Sequence, residues 1–170
     1  METKSFKENA LDSILAGAKS YQSLLGLDFV VSSDRFLYQK KYVIRFHADN
    51  FLHLTGVRTS LSPKEFFSKA VDRALSSGDF DCESTPDLKG TVRLKARNIR
   101  NIGTLFDRTV AVQEKMVSGR VICLLAATDG AFTLCFTGGR VINPMSLLNK
   151  DKTDPALAIT SFVIERKKRS

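Results

Sequence analysis

The stretch RVICLLAATDGAFTLCFT, residues 120–137, constrains the fold more than any other. It holds two apolar runs, each short for a helix, joined by Thr128-Asp129-Gly130, a hairpin signal whose glycine accepts the backbone of a tight turn. In the second run Phe132, Leu134 and Phe136 alternate with Thr133, Cys135 and Thr137. That is the period of a strand with one buried and one open face, and the open face is a natural place for a ligand. RTVAVQEKM before the stretch and LAITSFVIER after it read as further strands of an antiparallel meander.

Helical spacing dominates earlier. From Lys4 to about Leu25, Phe6, Ala10, Ile14, Ala18, Tyr21 and Leu25 form one wide apolar face, and Gly26 ends the run before a short strand LDFVVSS. KYVIRFHAD alternates, with Tyr42, Ile44 and Phe46 on one face and Val43, Arg45, His47 and Asp49 on the other. Ser62-Pro63-Lys64-Glu65 starts a helix with a cap, a proline at its first position and a capping-box glutamate. Phe66, Phe67, Ala70, Val71 and Ala74 give its buried stripe, and Ser76-Ser77-Gly78 closes it. PDLKGTVRLKARNIRNIG is a third helix, with Leu88, Val92, Ile99 and Ile102 on one side. Helices gathered early and strands gathered late predict an α+β fold, N-terminal helices packed on a mostly antiparallel β-sheet. One domain over residues 1–170 is expected, helical in 1–103 and strand-rich in 104–166.

Charge is split unevenly. Residues 1–87 carry 11 Lys and Arg against 12 Asp and Glu, whereas residues 88–170 carry 15 against 6. A polyanion rewards such clustered cations through counterion release, and a solvated basic surface is the competing reading. Lys89, Arg93, Arg97 and Arg100 lie along one helix side with no acidic partner at i+4, which favours a contact surface for RNA or a protein. RKKRS at the end reads as a solubilising tail, with phosphate contact as the alternative. The longest apolar run, Val121 to Ala127, is too short to cross a bilayer, so no membrane partner and a cytoplasmic location are expected. Cys82, Cys123 and Cys135 lack ligand spacing and read as reduced structural thiols.

Phosphate-loop, dinucleotide, zinc-protease and EF-hand signatures are absent, so no cofactor and no metal site is expected. The groups at hand are His53, Thr55, Arg45, Arg58, Lys64 and the downstream cations. RNA cleavage needs only such groups: a base for the 2′-hydroxyl, an acid for the leaving 5′-oxygen, and cations for the phosphorane. His53 suits proton transfer, the Thr55 hydroxyl would orient a phosphate oxygen or the imidazole, and Gly56 would admit close backbone approach. Arg45 or Arg58 would stabilise the transition state. In FLHLTG, His53 stands where a strand-like segment passes into a turn, and a packing residue between Leu52 and Leu54 is the competing reading. His47 reads as a solvated strand residue.

The segment from Tyr42 to Asp81 resembles the opening of the fourth class of phage-associated barnase/EndoU/colicin/RelE-like nuclease domains. His53-Leu54-Thr55-Gly56, Phe66-Phe67 and Leu75-Ser76-Ser77-Gly78-Asp79-Phe80 carry the resemblance, and a looser pattern continues in a turn at Pro144-Met145-Ser146-Leu147. The resemblance implies a compact α+β nuclease-like fold carried by phage or other mobile elements, with RNA as substrate. It gives His53 and Thr55 a site role, and Ser146 a looser one. The expectation is thus a metal-independent, toxin-like endoribonuclease with His53, Thr55, Arg45 and Ser146 as catalytic candidates. Arg58, Lys64, Lys89, Arg93, Arg97 and Arg100 are the substrate-binding candidates. An antitoxin or a host protein is a further partner. The alternative is an inactive nuclease-like module that binds nucleic acid or a host protein.

Overall fold

A computed structural model describes residues 3–169. Helix α1 (Phe6–Gln22) starts where the Ser5 hydroxyl accepts from the Glu8 N–H, and it buries Ala10, Ile14, Ala18 and Tyr21. Gly17 lets it lie close to a 3-10 turn at Ile99–Thr104, since a Cβ at Gly17 would stand 2.9 Å from Ile99 Cγ1. Strands β1 (Leu27–Ser32) and β2 (Lys41–Arg45) pair antiparallel. As the alternation requires, Tyr42, Ile44 and Phe46 are buried. A 3-10 turn, Ala48–Asn50, then leads into the short helix α2 (Phe51–Thr55).

Helix α3 (Pro63–Val71) begins as its sequence signals: the Ser62 hydroxyl accepts from the Glu65 N–H with proline in the first turn. It ends sooner than the sequence suggests. Its apolar stripe stops at Val71, and Arg73 turns the backbone to φ +58° well before the Ser76-Ser77-Gly78 signal. Helix α4 (Pro86–Ala96), capped by Thr85, and the single turn α5 (Leu105–Arg108) complete the helical layer.

The remaining strands are β3 (Ala111–Glu114), β4 (Val117–Ser118), β5 (Val121–Ile122), β6 (Leu125–Thr128), β7 (Phe132–Gly138), β8 (Val141–Asn149) and β9 (Val163–Lys168). β4 and β5 form a separate small hairpin. The others join β1 and β2 in one seven-stranded sheet ordered β3-β6-β7-β8-β2-β1-β9, antiparallel except where β2 meets β8. The Thr128-Asp129-Gly130 hairpin forms as expected: Gly130 has φ +95°, and Asp129 Oδ1 accepts from the Ala131 N–H at 2.8 Å.

Three expectations need correction. Pro144 to Leu147 is no turn but lies inside the nine-residue strand β8. Proline is tolerated there because the β7–β8 register shifts between Cys135 and Phe136, where a missing N–H breaks no regular ladder. The basic tail is not a loose end, since Arg166, Lys167 and Lys168 pair with β1 as part of β9. Finally, the second face of β7 is closed over most of its length: Thr133 and Cys135 are as buried as Phe132 and Leu134, while Thr137 near the strand's end is exposed. Thr133 donates to the Lys150 carbonyl and accepts from the Lys152 N–H, which straps the following loop across that face. Met116, Cys123, Ala126 and Cys135 form a small second cluster there.

The main core lies between the helices and the sheet. Tyr21, Phe46 and Phe51 meet edge-on or tilted, with Tyr21 and Phe46 centroids 5.6 Å apart, and Phe29, Phe106 and Phe136 extend the aromatic cluster. Cys82, Cys123 and Cys135 are free and buried. No helix is long and apolar enough to cross a membrane among the described residues.

Candidate functional site

His53 lies on helix α2, not at a strand exit. Phe51, Leu54 and Thr55 are buried at helical spacing, and Gly56, at φ +77°, ends the turn in the left-handed conformation that favours glycine. The imidazole itself is exposed, which removes the packing reading. Thr55 is 3% exposed, and its hydroxyl is committed twice: it donates to the Leu52 carbonyl at 2.7 Å and accepts from the Val57 N–H at 3.2 Å. Those bonds hold the turn and leave the hydroxyl facing inward.

What approaches Gly56 is a side chain. A Cβ there would stand 2.9 Å from Lys95 Cδ and 3.1 Å from Thr91 Cγ2. Lys95 runs inward over the glycine and donates from Nζ to the Leu147 carbonyl at 2.9 Å, while Asn98 donates to Asn149 Oδ1 at 3.1 Å. Together they cover the part of β8 beyond Ile142, where pairing with β2 has ended. No carboxylate pairs with Lys95 among the described residues, and burial lowers its pKa below the usual lysine range. Sequence reading missed this lysine. Its signal was position: Lys95 continues the Leu88, Val92, Ile99 spacing of the apolar side of α4.

The expected third helix is broken: α4 ends at Ala96, so Lys89 and Arg93 of the basic stripe lie on it, Arg97 caps its end and Arg100 stands on the 3-10 turn Ile99–Thr104. Lys89 Nζ and Arg93 lie over the Phe6 ring at 5.1 and 5.5 Å, and Arg100 donates to Ser13 Oγ at 3.4 Å. None of Lys89, Arg93, Arg97 or Arg100 is ion-paired among the described residues. Between α1 and α4 runs an apolar-floored groove of about 270 Å³, with Phe6 and Ala10 at its base and Arg93 and Arg97 at its rim.

The other candidates are dispersed. Arg45 is clamped by Asp28, with Nε 2.8 Å from Oδ1 and Nη2 2.9 Å from Oδ2. Ser146 lies on β8 directly opposite Cys135. Arg58 is exposed, its backbone paired with Asp81, and Lys64 is exposed at the start of α3. No hydrogen bond joins His53 to Thr55, Arg45, Arg58, Lys64 or Ser146 among the described residues. Nor does any group of three His, Cys, Asp or Glu side chains there have the arrangement of a metal centre.

A buried carboxylate near the opposite sheet edge has a structural task. Glu114 accepts from the Leu37 and Tyr38 N–H groups at 2.7 and 3.2 Å and from the Tyr42 hydroxyl, fixing the loop between β1 and β2. Burial and then this carboxylate push the Tyr42 hydroxyl well above its ordinary pKa.

Comparison with known proteins gives one match. A family model described as "phage-Barnase-EndoU-ColicinE5/D-RelE like nuclease4" matches residues 13–136. No curated protein and no solved structure matches the chain.

Proposed function

The chain belongs to the phage-Barnase-EndoU-ColicinE5/D-RelE like nuclease4 family, and from that premise we propose that it is an endoribonuclease that cleaves without a metal ion. The observation that carries the reading is this membership, matched over residues 13–136, in a chain whose second half is strongly basic. Family membership supplies a nuclease, and therefore a nucleic-acid substrate. RNA suits histidine and arginine chemistry without a metal, because its own 2′-hydroxyl is the nucleophile.

In this reading the 2′-oxygen loses its proton to a base and bonds to phosphorus, while the 5′-oxygen leaves and takes a proton from an acid. His53, exposed beside the α2 turn, is one candidate for proton transfer. The unpaired α4 stripe and the exposed Arg58 and Lys64 would track the phosphate backbone. A toxin-like role against a host, countered by an antitoxin, fits a phage-associated family. Incubation of the full chain with mixed RNA in EDTA is the test. Cleavage is expected; RNA intact across a wide pH range contradicts the enzyme reading.

One observation favours a second reading. Thr55, a catalytic candidate, has its hydroxyl committed to the α2 turn and Arg45 is ion-paired to Asp28, whereas Lys89, Arg93, Arg97 and Arg100 are in no ion pair among the described residues. An inactive module that binds nucleic acid or a host protein would use the stripe alone. It would bind RNA with a strong salt dependence, weakened by charge reversal at Arg93 and Arg97, and show no turnover.

A further inference from the structure

Strand pairing gathers at the β2-β1-β9 edge a set of charges that the sequence keeps far apart. Asp28 on β1 stands opposite Arg45 on β2 and opposite Lys167 on β9. Directly opposed residues project to the same face of a sheet, so these three share one surface. Both Asp28 oxygens are taken by Arg45. Arg169 then closes in from the end of β9, its Nε 3.7 Å from Asp28 Oδ1, sealed from solvent and without a hydrogen-bond partner. Lys167 has a second acidic neighbour in Glu165, 3.8 Å away. A single carboxylate therefore faces two guanidiniums, and a cleft of about 650 Å³ opens between Gly26, Asp28, Arg45, Lys167, Lys168 and Arg169.

His47 belongs to this surface. It lies two residues beyond Arg45, the last residue of β2, and its own backbone is still extended at φ −115° and ψ 151°, so the strand period carries on to it. The Asp28 carboxyl is held below the usual carboxylate range, first by the Arg45 hydrogen bond and then by the positive charges of Arg45 and Arg169. The backbone of His47 is fixed on both sides. The hydroxyl of the fully buried Tyr21 donates to its carbonyl at 2.6 Å, and its N–H donates to Asn50 Oδ1 at 3.1 Å. Asn143 on β8 fixes the strand just before it, donating to the Arg45 carbonyl at 2.8 Å. The imidazole is exposed. A held backbone carrying a solvent-facing ring two residues from the Arg45 cation suits proton transfer at a phosphate.

We propose that Arg45, Arg169 and His47 form a phosphodiester site, the guanidiniums holding the RNA phosphate and the His47 imidazole exchanging a proton with the 2′- or 5′-oxygen. The site rests on the ribonuclease reading and supplies a proton-transfer group beyond His53. In the step, the P–O2′ bond forms and the P–O5′ bond breaks; the base takes the 2′-hydroxyl proton and the acid gives one to the 5′-oxygen. His47 is one of these two groups. The Asp28 carboxylate orients Arg45 and keeps the paired cations from repelling each other.

The test combines two readouts on the full chain. Inorganic phosphate is titrated while the His47 ring resonances are followed by NMR, in the wild type and in Arg169→Glu. RNA turnover is measured for the wild type and for His47→Ala, whose backbone bonds to Tyr21 and Asn50 are preserved. Phosphate is expected to move the His47 resonances, with binding at least about tenfold weaker in Arg169→Glu, and His47→Ala is expected to lower turnover by about 10²–10⁴. His47 resonances unmoved by phosphate overturn the site, whether or not RNA is cut. Unchanged turnover in His47→Ala overturns the proton-transfer role. A chain that binds phosphate at His47 but cuts no RNA overturns the ribonuclease reading and, with it, that role, and leaves the anion site standing.

Discussion

The two histidines of the chain stand six residues apart and in unlike surroundings. His53 sits in the most legible motif of the sequence, on a helix one turn long, with its hydroxyl neighbour Thr55 turned inward. His47 follows the end of β2 by two residues, and a carboxylate and two guanidiniums meet around Asp28, opposite that strand's last residue. A local motif marks where the chain turns. Charge is collected by pairing between strands distant in sequence, and Asp28, Arg45 and Arg169 come together only when β9 closes on β1.

The largest expected effects test that contrast directly. His47→Ala and His53→Ala are each expected to lower RNA turnover by about 10²–10⁴ if the two act as acid and base. A loss confined to one variant breaks the symmetry in favour of that histidine, and pH–rate profiles of both variants show which limb of the bell has vanished. Next in size is the substrate grip. Charge reversal at Arg93 or Arg97 is expected to reduce the slope of log affinity against log salt by about 0.7 for each single-strand phosphate that is no longer neutralised. An unchanged slope moves the polyanion path from α4 to the β9 edge.

The helix corner and the strand edge also differ in what holds them. Gly56→Ala must place a side chain at φ +77° and against Lys95, and is expected to destabilise the protein by about 1–2 kcal/mol, read from urea unfolding. Lys95→Met keeps the packing over Gly56 and loses one hydrogen bond to Leu147, an expected change of about 1 kcal/mol or less. At the strand edge the effect is set by pH. Asp28 has its pKa lowered in the folded state, so its contribution is present above the ordinary carboxylate pKa and is lost as pH falls through the folded value. Melting curves should therefore separate the wild type from Asp28→Asn at neutral pH and converge in acid. Curves that stay apart in acid would show that the Arg45 clamp is not the source.

Much of the helical layer was legible because its signals are local. Ser62-Pro63 starts α3, Gly26 follows the end of α1, and the Asp129-Gly130 turn joins β6 to β7 as their residue types require. β8 was hidden because Pro144 argues against a central strand, and only the register shift with β7 accommodates it. The closed second face was hidden for a similar reason: Thr133 alternates like an exposed residue, but its partners are the Lys150 carbonyl and the Lys152 N–H, far along the chain. Of the site candidates, the basic stripe was read from one long helix, but that helix ends at Ala96 and Arg100 passes to the 3-10 turn that follows. Lys95 was missed through its charge, though its spacing is that of a core residue, and His47 was set aside because no local pattern announces Arg169.

The proposed reaction is attack of the RNA's own 2′-hydroxyl on the adjacent phosphate, with histidine moving the protons. End-group analysis of a defined RNA oligonucleotide incubated with the full chain in EDTA tests it most directly. Fragments with 2′,3′-cyclic phosphate or 3′-phosphate ends and 5′-hydroxyl partners are expected, formed by the wild type and suppressed in His47→Ala. Intact RNA, or fragments carrying 3′-hydroxyl and 5′-phosphate ends, would contradict it.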